Sequence, residues 1–235
     1  MTLDNEEANK HIGCYSIVVG SDLMMQLKDL TLNFVDRKIT VPSIAPARSA
    51  TPANMLFSQQ MNLLTKGTIL NDAMWICIDT GDASYGSLNK DFLNKNKDYI
   101  LANAHPDTIR IAGIGGVKIL DGYILPDITA SIGGNTAILP NIFVNKGLNP
   151  LASDYECNLG LKSLMLFGKI RFNLVDFTIT TYPPKISTRI PQEYNIPKFR
   201  LTQEKNPSLL QSVGTVALSI ANGIFNVNAP NAPDL

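Results

Sequence analysis

In the stretch CIDTGDASYGS, residues 77–87, two carboxylates, Asp79 and Asp82, flank a Thr-Gly pair at the end of an apolar run. A carboxylate in such a position can act as a general acid or base once burial or a neighbouring like charge raises its affinity for a proton. Two carboxylates brought close together hold one proton between them, so that one activates water while the other protonates an oxygen of the substrate. An aspartate in a Thr-Gly turn serves equally well for local hydrogen bonding. Which of these Asp79 does depends on what the rest of the chain places around it.

Other chemistries are poorly supplied. The 235 residues carry 20 Lys plus Arg against 20 Asp plus Glu, so no net field draws phosphate backbones, acidic substrates or an anionic membrane, and nucleic acid is not an expected partner. Cys14, Cys77 and Cys157 have no metal-ligand spacing, and an odd number without a close pair does not make a disulfide framework. Only His11 and His105 could join them, so no metal site is expected. The start, MTLDNEEANKHIG, is polar and acidic, unlike a secretory signal, although a mature or truncated chain would read the same way.

A hydrophobic content of 45% is enough for a substantial core, in one large domain or two small ones. The longest apolar stretch, residues 209–225, contains Gln211, Ser212, Ser219 and Asn222 and is too short to cross a bilayer comfortably, so no transmembrane segment is expected. Leu209, Val213, Val216, Ile220 and Ile224 recur there at spacings of three and four behind Asn-Pro-Ser, which predicts a C-terminal docking helix within Asn206–Phe225.

Elsewhere strand signals dominate. LKDLTLNFVDRKITV, MWICI, TIRIAGIGGVKIL and GKIRFNLVDFTITTY are short apolar or alternating runs broken by Gly, Asp and Asn, and they predict a mainly β core. Residues 20–40 also align without a gap on residues 160–180, at a constant offset of 140 residues that matches Gly20 to Gly160. Met25/Met165, Asn33/Asn173, Val35/Val175, Asp36/Asp176, Ile39/Ile179 and Thr40/Thr180 also coincide. The two stretches are expected to share a turn or short helix followed by two strands, as the ends of two related lobes. Two unrelated hairpins with common turn signals would show a weaker form of the same likeness.

With MWICIDTGDAS, the Gly-rich AGIGGVKI, and NLG leading into LMLFGKIRFNLVDFTIT, the chain resembles the retropepsin-like and pepsin-like aspartic proteases, particularly the bacterial two-lobed kind. VVGSDLM, residues 18–24, resembles the Gly-containing brace of a preceding lobe. The resemblance implies a closed β-barrel lobe with a D-T-G loop and a flap. It divides the chain into the terminal part of a preceding lobe at 1–44, a D-T-G lobe at 45–184, and a tail at 185–235 with the docking helix. The Pro-, Ala- and Ser-rich segment 41–54 reads as the connection between lobes.

By the same resemblance Asp79 is the catalytic carboxylate of an aspartic endopeptidase. Thr80, Gly81 and Gly160 support its loop, and Gly113, Ile114, Gly115 and Gly116 form the flap that closes over an extended peptide or protein substrate. No metal or organic cofactor is implied. A single D-T-G leaves the second aspartate to a homodimer partner or to a missing N-terminal lobe. Asp82 departs from the family pattern, which has a small residue after D-T-G, and Lys162 stands where the first repeat has Asp22. The alternative is a catalytically inactive module of the same fold that binds peptides or supports dimerisation. Secretion or a cell-envelope location follows from the family resemblance alone.

Overall fold

The alternating runs become strands in the computed structural model, which describes residues 21–42, 50–113, 116–147, 155–184, 200–203, 218–220 and 223–225. The fold is mainly β, with a few short helices. Its largest sheet joins β3 (Met55–Phe57), β4 (Leu63–Ile69), β5 (Asp72–Asp79), β10 (Cys157–Gly160), β6 (Gly86–Leu88), β9 (Asn135–Asn145), β8 (Gly116–Ile132) and β7 (His105–Gly113), in that order. A further pairing of β4 with β8 closes the strands from β4 round to β8 into a circuit, with β3 and β7 attached outside it. Inward-facing Ile69, Ile76, Leu88, Leu125, Ile128, Leu139 and Leu159 are buried in one core cluster. Phe92 on α2 (Lys90–Lys95) and Ile100 on α3 (Lys97–Asn103) join that cluster. Asn89 starts α2 by accepting hydrogen bonds from the Asp91 and Phe92 backbone amides, each at 3.0 Å.

The second sheet is built from the repeat. Each copy is a short helix followed by two strands: α1 (Ser21–Leu27), β1 (Asp29–Asn33) and β2 (Lys38–Val41) in one, and α4 (Leu161–Leu166), β11 (Lys169–Asn173) and β12 (Thr178–Tyr182) in the other. Left-handed backbone recurs at matching places, at Lys28 (φ 62°) and Gly168 (φ 73°), and again at Arg37 (φ 56°) and Phe177 (φ 52°). The turn chemistry recurs too. Asn33 Oδ1 accepts the Asp36 amide at 3.0 Å, and Asn173 Oδ1 accepts the Asp176 amide at 3.3 Å. The coincident Asn and Asp residues are thus the cause of the shared turn. Gly20 itself lies outside the described residues.

The two copies also pair with each other. β1 runs antiparallel to β11 with Thr31 opposite Arg171, Asp29 opposite Asn173 and Asn33 opposite Lys169. Beyond the ladder, the Phe34 amide donates to Gly168 O at 2.9 Å and the Leu174 amide to Lys28 O at 2.7 Å. Exchanging the copies maps each of these contacts onto its counterpart, so a local two-fold axis passes through Thr31 and Arg171. The side chains break the symmetry: Arg171 reaches Asp29 through Nε and Nη2, the shortest contact being 2.6 Å, while Asp29 is 2% exposed. Arg171→Ala is expected to cost about 3 kcal/mol or more, because it strands a buried carboxylate. Urea unfolding should show Asp29→Asn recovering part of that loss in the double variant. Purely additive losses would refute the coupling.

The C-terminal expectation needs correction. Leu218–Ile220 and Gly223–Phe225 are the strands β14 and β15 of a two-stranded antiparallel ladder, so the docking helix does not extend over them. The innermost rung is Ile220 with Gly223, so Gly223 belongs to the ladder itself, and the β-branched Ile220 and Ile224 suit strands at least as well as the helix their spacing suggests. The rest of that stretch, including Leu209, Val213 and Val216, lies outside the described residues. Another part of the tail, β13 (Arg200–Gln203), pairs in parallel with β2 and so extends the repeat sheet.

Candidate active site

β5 carries Asp79 to the site. Ile76, Cys77 and Ile78 are buried and hold the strand in place, and its parallel neighbour β10 ends alongside it, with Gly160 in register with Asp79. The chain then turns back: the Asp82 amide donates to the Asp79 carbonyl oxygen at 3.2 Å, and the Gly81 amide to Asp79 Oδ1 at 2.9 Å. Asp79 Oδ2 accepts from Asn158 Nδ2 on β10 at 3.3 Å. Both oxygens of a half-buried carboxylate are thereby fixed, which is the preorganisation that acid–base chemistry requires.

Asp82 does not turn to solvent. Its Oδ1 accepts the Ser84 amide at 2.8 Å, and its Oδ2 accepts from the same Asn158 Nδ2 at 3.2 Å. Burial raises the proton affinity of Asp79, and the charge on Asp82 raises it further. The hydrogen bonds from Asn158 and from the Gly81 and Asp82 amides pull the other way. Cys77 is pushed up to about 12, first by burial and then by Asp79, so it stays a neutral thiol at ordinary pH.

The brace comes from β10 and α4. The Leu161 amide donates to Asp82 O at 2.7 Å, the Lys162 amide to Ser84 O at 3.1 Å and the Gly160 amide to Tyr85 O at 3.3 Å, while the Ser163 hydroxyl donates to Tyr85 O at 2.5 Å. Gly160 therefore lies directly beneath the loop that follows Asp79. Gly86, at φ +106°, lets β6 pass so close to β10 that a Cβ there would lie 1.9 Å from Asn158 O. Lys162 places its ammonium 5.7 Å from the centre of the Tyr85 ring. Its exchange with Asp22 of the other copy thus puts a cation beside this loop.

Of the residues singled out in the sequence, Asp79, Thr80, Gly81 and Gly160 come together in this one turn and brace, with Thr80 half-buried. Gly113 and Gly116 form the innermost rung of the β7–β8 hairpin, whereas Ile114 and Gly115 lie outside the described residues. Asn158 was not singled out, although the repeat marks it: the first copy has Val18 at the matching position, so an amide in place of an apolar residue was visible.

No family model matches the sequence, and no curated protein matches it. Among solved structures, the EIAV protease complexed with the inhibitor HBY-793 is similar over 47% of this chain and 91% of that chain, at 18% identity and a TM-score of 0.33. A likeness of that size does not assign a family. No helix among the described residues is long and apolar enough to cross a membrane.

Proposed function

We propose that the D-T-G lobe, residues 45–184, is one lobe of a retropepsin-like aspartic endopeptidase, in which Asp79 is one carboxylate of a two-aspartate dyad acting on extended peptides. The observation that carries this reading is Asp79 itself: a half-buried carboxylate at a strand end, held through both oxygens and raised in proton affinity, on a loop braced from below by Gly160 and α4. The closed strand circuit and the β7–β8 hairpin are consistent with a barrel lobe and its flap.

The local two-fold axis bears on where the second aspartate comes from. In a homodimer built on that axis, β11 would pair with β11 of a second copy, but β1 already occupies that edge. That occupied edge favours a partner turn from a lobe that ends in the 21–41 unit over one from a second copy of residues 45–184. This chain by itself is expected to be monomeric and silent toward a mixed peptide library at acidic pH. A tandem with residues 50–160 placed ahead of Ser21, the counterpart of Leu161, should cleave. Light scattering and cleavage over a concentration series test this. Activity of the single chain that rises steeply with dimerisation would restore the homodimer. Silence from a folded tandem at every pH would favour the peptide-binding module.

A further inference from the structure

We infer that Asp82 is a positioning residue for Asp79: held beside it by Asn158 and the Ser84 amide, its carboxylate keeps Asp79 protonated, as the acid of a dyad must be. What the proton is used for rests on the endopeptidase reading above. The arrangement of the three side chains does not.

One nitrogen, Asn158 Nδ2, donates to Asp79 Oδ2 at 3.3 Å and to Asp82 Oδ2 at 3.2 Å. The two oxygens can be no farther apart than the sum of those distances, so the Asp82 charge stands close to Asp79 and opposes its ionisation. Asp82 cannot swing away without losing the Ser84 amide as well. The amide of Asn158 is also committed to one orientation. Its Oδ1 is buried without a hydrogen-bond partner among the described residues, and Asn158 lines a small cavity together with Ser87, Leu88, Asn89, Asn145, Tyr155 and Glu156. Turning the amide over would aim that oxygen at two carboxylates, so the nitrogen stays with them while either is charged.

The other titratable groups nearby do not reproduce this effect. Cys77 on β5 and Cys157 on β10 are buried, and both are held as neutral thiols. Tyr155, on the segment leading into β10, hydrogen-bonds to Cys77. Glu156 is paired with Lys95, and Lys162 of α4 lies over Tyr85. Asp82 is the nearby charge that raises Asp79.

In the assembled site, Asp79 gives its proton to the scissile carbonyl oxygen as the carbonyl π bond opens. Water oxygen bonds to the carbonyl carbon, and the proton that water loses passes to the partner aspartate. Asp79 ends as a carboxylate and its partner as a carboxylic acid, so protons and charge balance.

The geometry requires shifts of opposite sign. Asp82→Asn keeps the acceptor for the Ser84 amide but removes the like charge, so Asp79 should lose its proton at lower pH. Asn158→Ala removes a donor that favours the Asp79 carboxylate while the Ser84 amide still holds Asp82 in its place, so Asp79 should hold its proton to higher pH. Carbon-13 NMR titration of the Asp79 carboxyl in this chain measures both, with Asp79→Asn assigning the signal. Asp82→Glu, which returns the charge, should move the midpoint back up and serves in place of Asn158→Ala if that variant does not fold. In an active tandem, where both lobes carry the same turn, Asp82→Asn in both copies should also move the alkaline limb of the cleavage profile to lower pH. An Asp79 midpoint unmoved by Asp82→Asn, or not restored by Asp82→Glu, would overturn the inference whatever the activity. Opposite-signed shifts in a protein whose tandem never cleaves would sustain it and overturn only the endopeptidase reading.

Discussion

Asp79→Asn is expected to abolish acidic peptide cleavage by the assembled two-lobed site, with a loss of roughly 10²–10⁴-fold or to background, because an amide can neither give nor take the proton. The same substitution should change how stability depends on pH. The folded-state proton affinity of Asp79 is raised, by burial first and by Asp82 second. A carboxyl raised in this way contributes stability that is fully present below its unfolded value and is lost as the pH climbs through the folded one. The asparagine variant has no such group. Urea midpoints should therefore shift in the variant's favour, relative to the parent, as the pH rises through that window, whatever constant offset the substitution adds. A stability difference that does not vary with pH would remove the electrostatic account of Asp79. Retained cleavage would remove the aspartic mechanism.

Much of the frame was legible because the residues that signalled it also cause it. Leu30, Leu32, Ile170 and Phe172 alternate with polar neighbours in sequence and are buried in the sheet. The Asn and Asp that coincide between the repeats make the same turn hydrogen bonds in both copies. The pairing of β1 with β11 was not legible, since local periodicity says nothing about which strand a hairpin meets across a separation of 140 residues. Related hairpins made such a symmetric meeting available, but only the register fixes Thr31 opposite Arg171.

The site was legible in part. D-T-G followed by Asp82 raised the question of a second carboxylate, but its direction is decided by Asn158, which lies 76 residues away in sequence. At the other end of the chain the helical spacing of Ile220 and Ile224 was genuine and still misleading. The ladder pairs Ile220 with Gly223 and Ser219 with Ile224, so the spacing that suggests one face of a helix has no such meaning here, and β-branched residues suit a strand at least as well.

Gly160→Ala is expected to destabilise the protein by about 3 kcal/mol and to harm the site beyond that loss. The backbone there, at φ −77° and ψ 173°, accepts any L residue, so conformational preference is not the cause. The cause is space: a Cβ would lie 2.4 Å from Ser84 O, 2.9 Å from Asp82 O and 3.0 Å from Asp82 Cγ. Those backbone oxygens are the acceptors of the Lys162 and Leu161 amides, so the loop cannot retreat without loosening the bonds that brace it. It also carries Asp82, and a retreat would part Asp82 from Asn158 and leave Asp79 with a weaker neighbour. Misplacing a catalytic group by about 1 Å can lower a rate by roughly 10²-fold, over and above any stability loss. Gly147→Ala is the control, since its Cβ would meet Asn145 Oδ1 at 3.4 Å, an ordinary contact, and its effect should stay within about 0.5 kcal/mol. Urea unfolding of both variants, with the Asp79 carboxyl titration as the local readout, separates the two cases. A Gly160→Ala protein as stable as the parent, with an unmoved Asp79 midpoint, would show that the loop is not held against β10 as closely as these distances require.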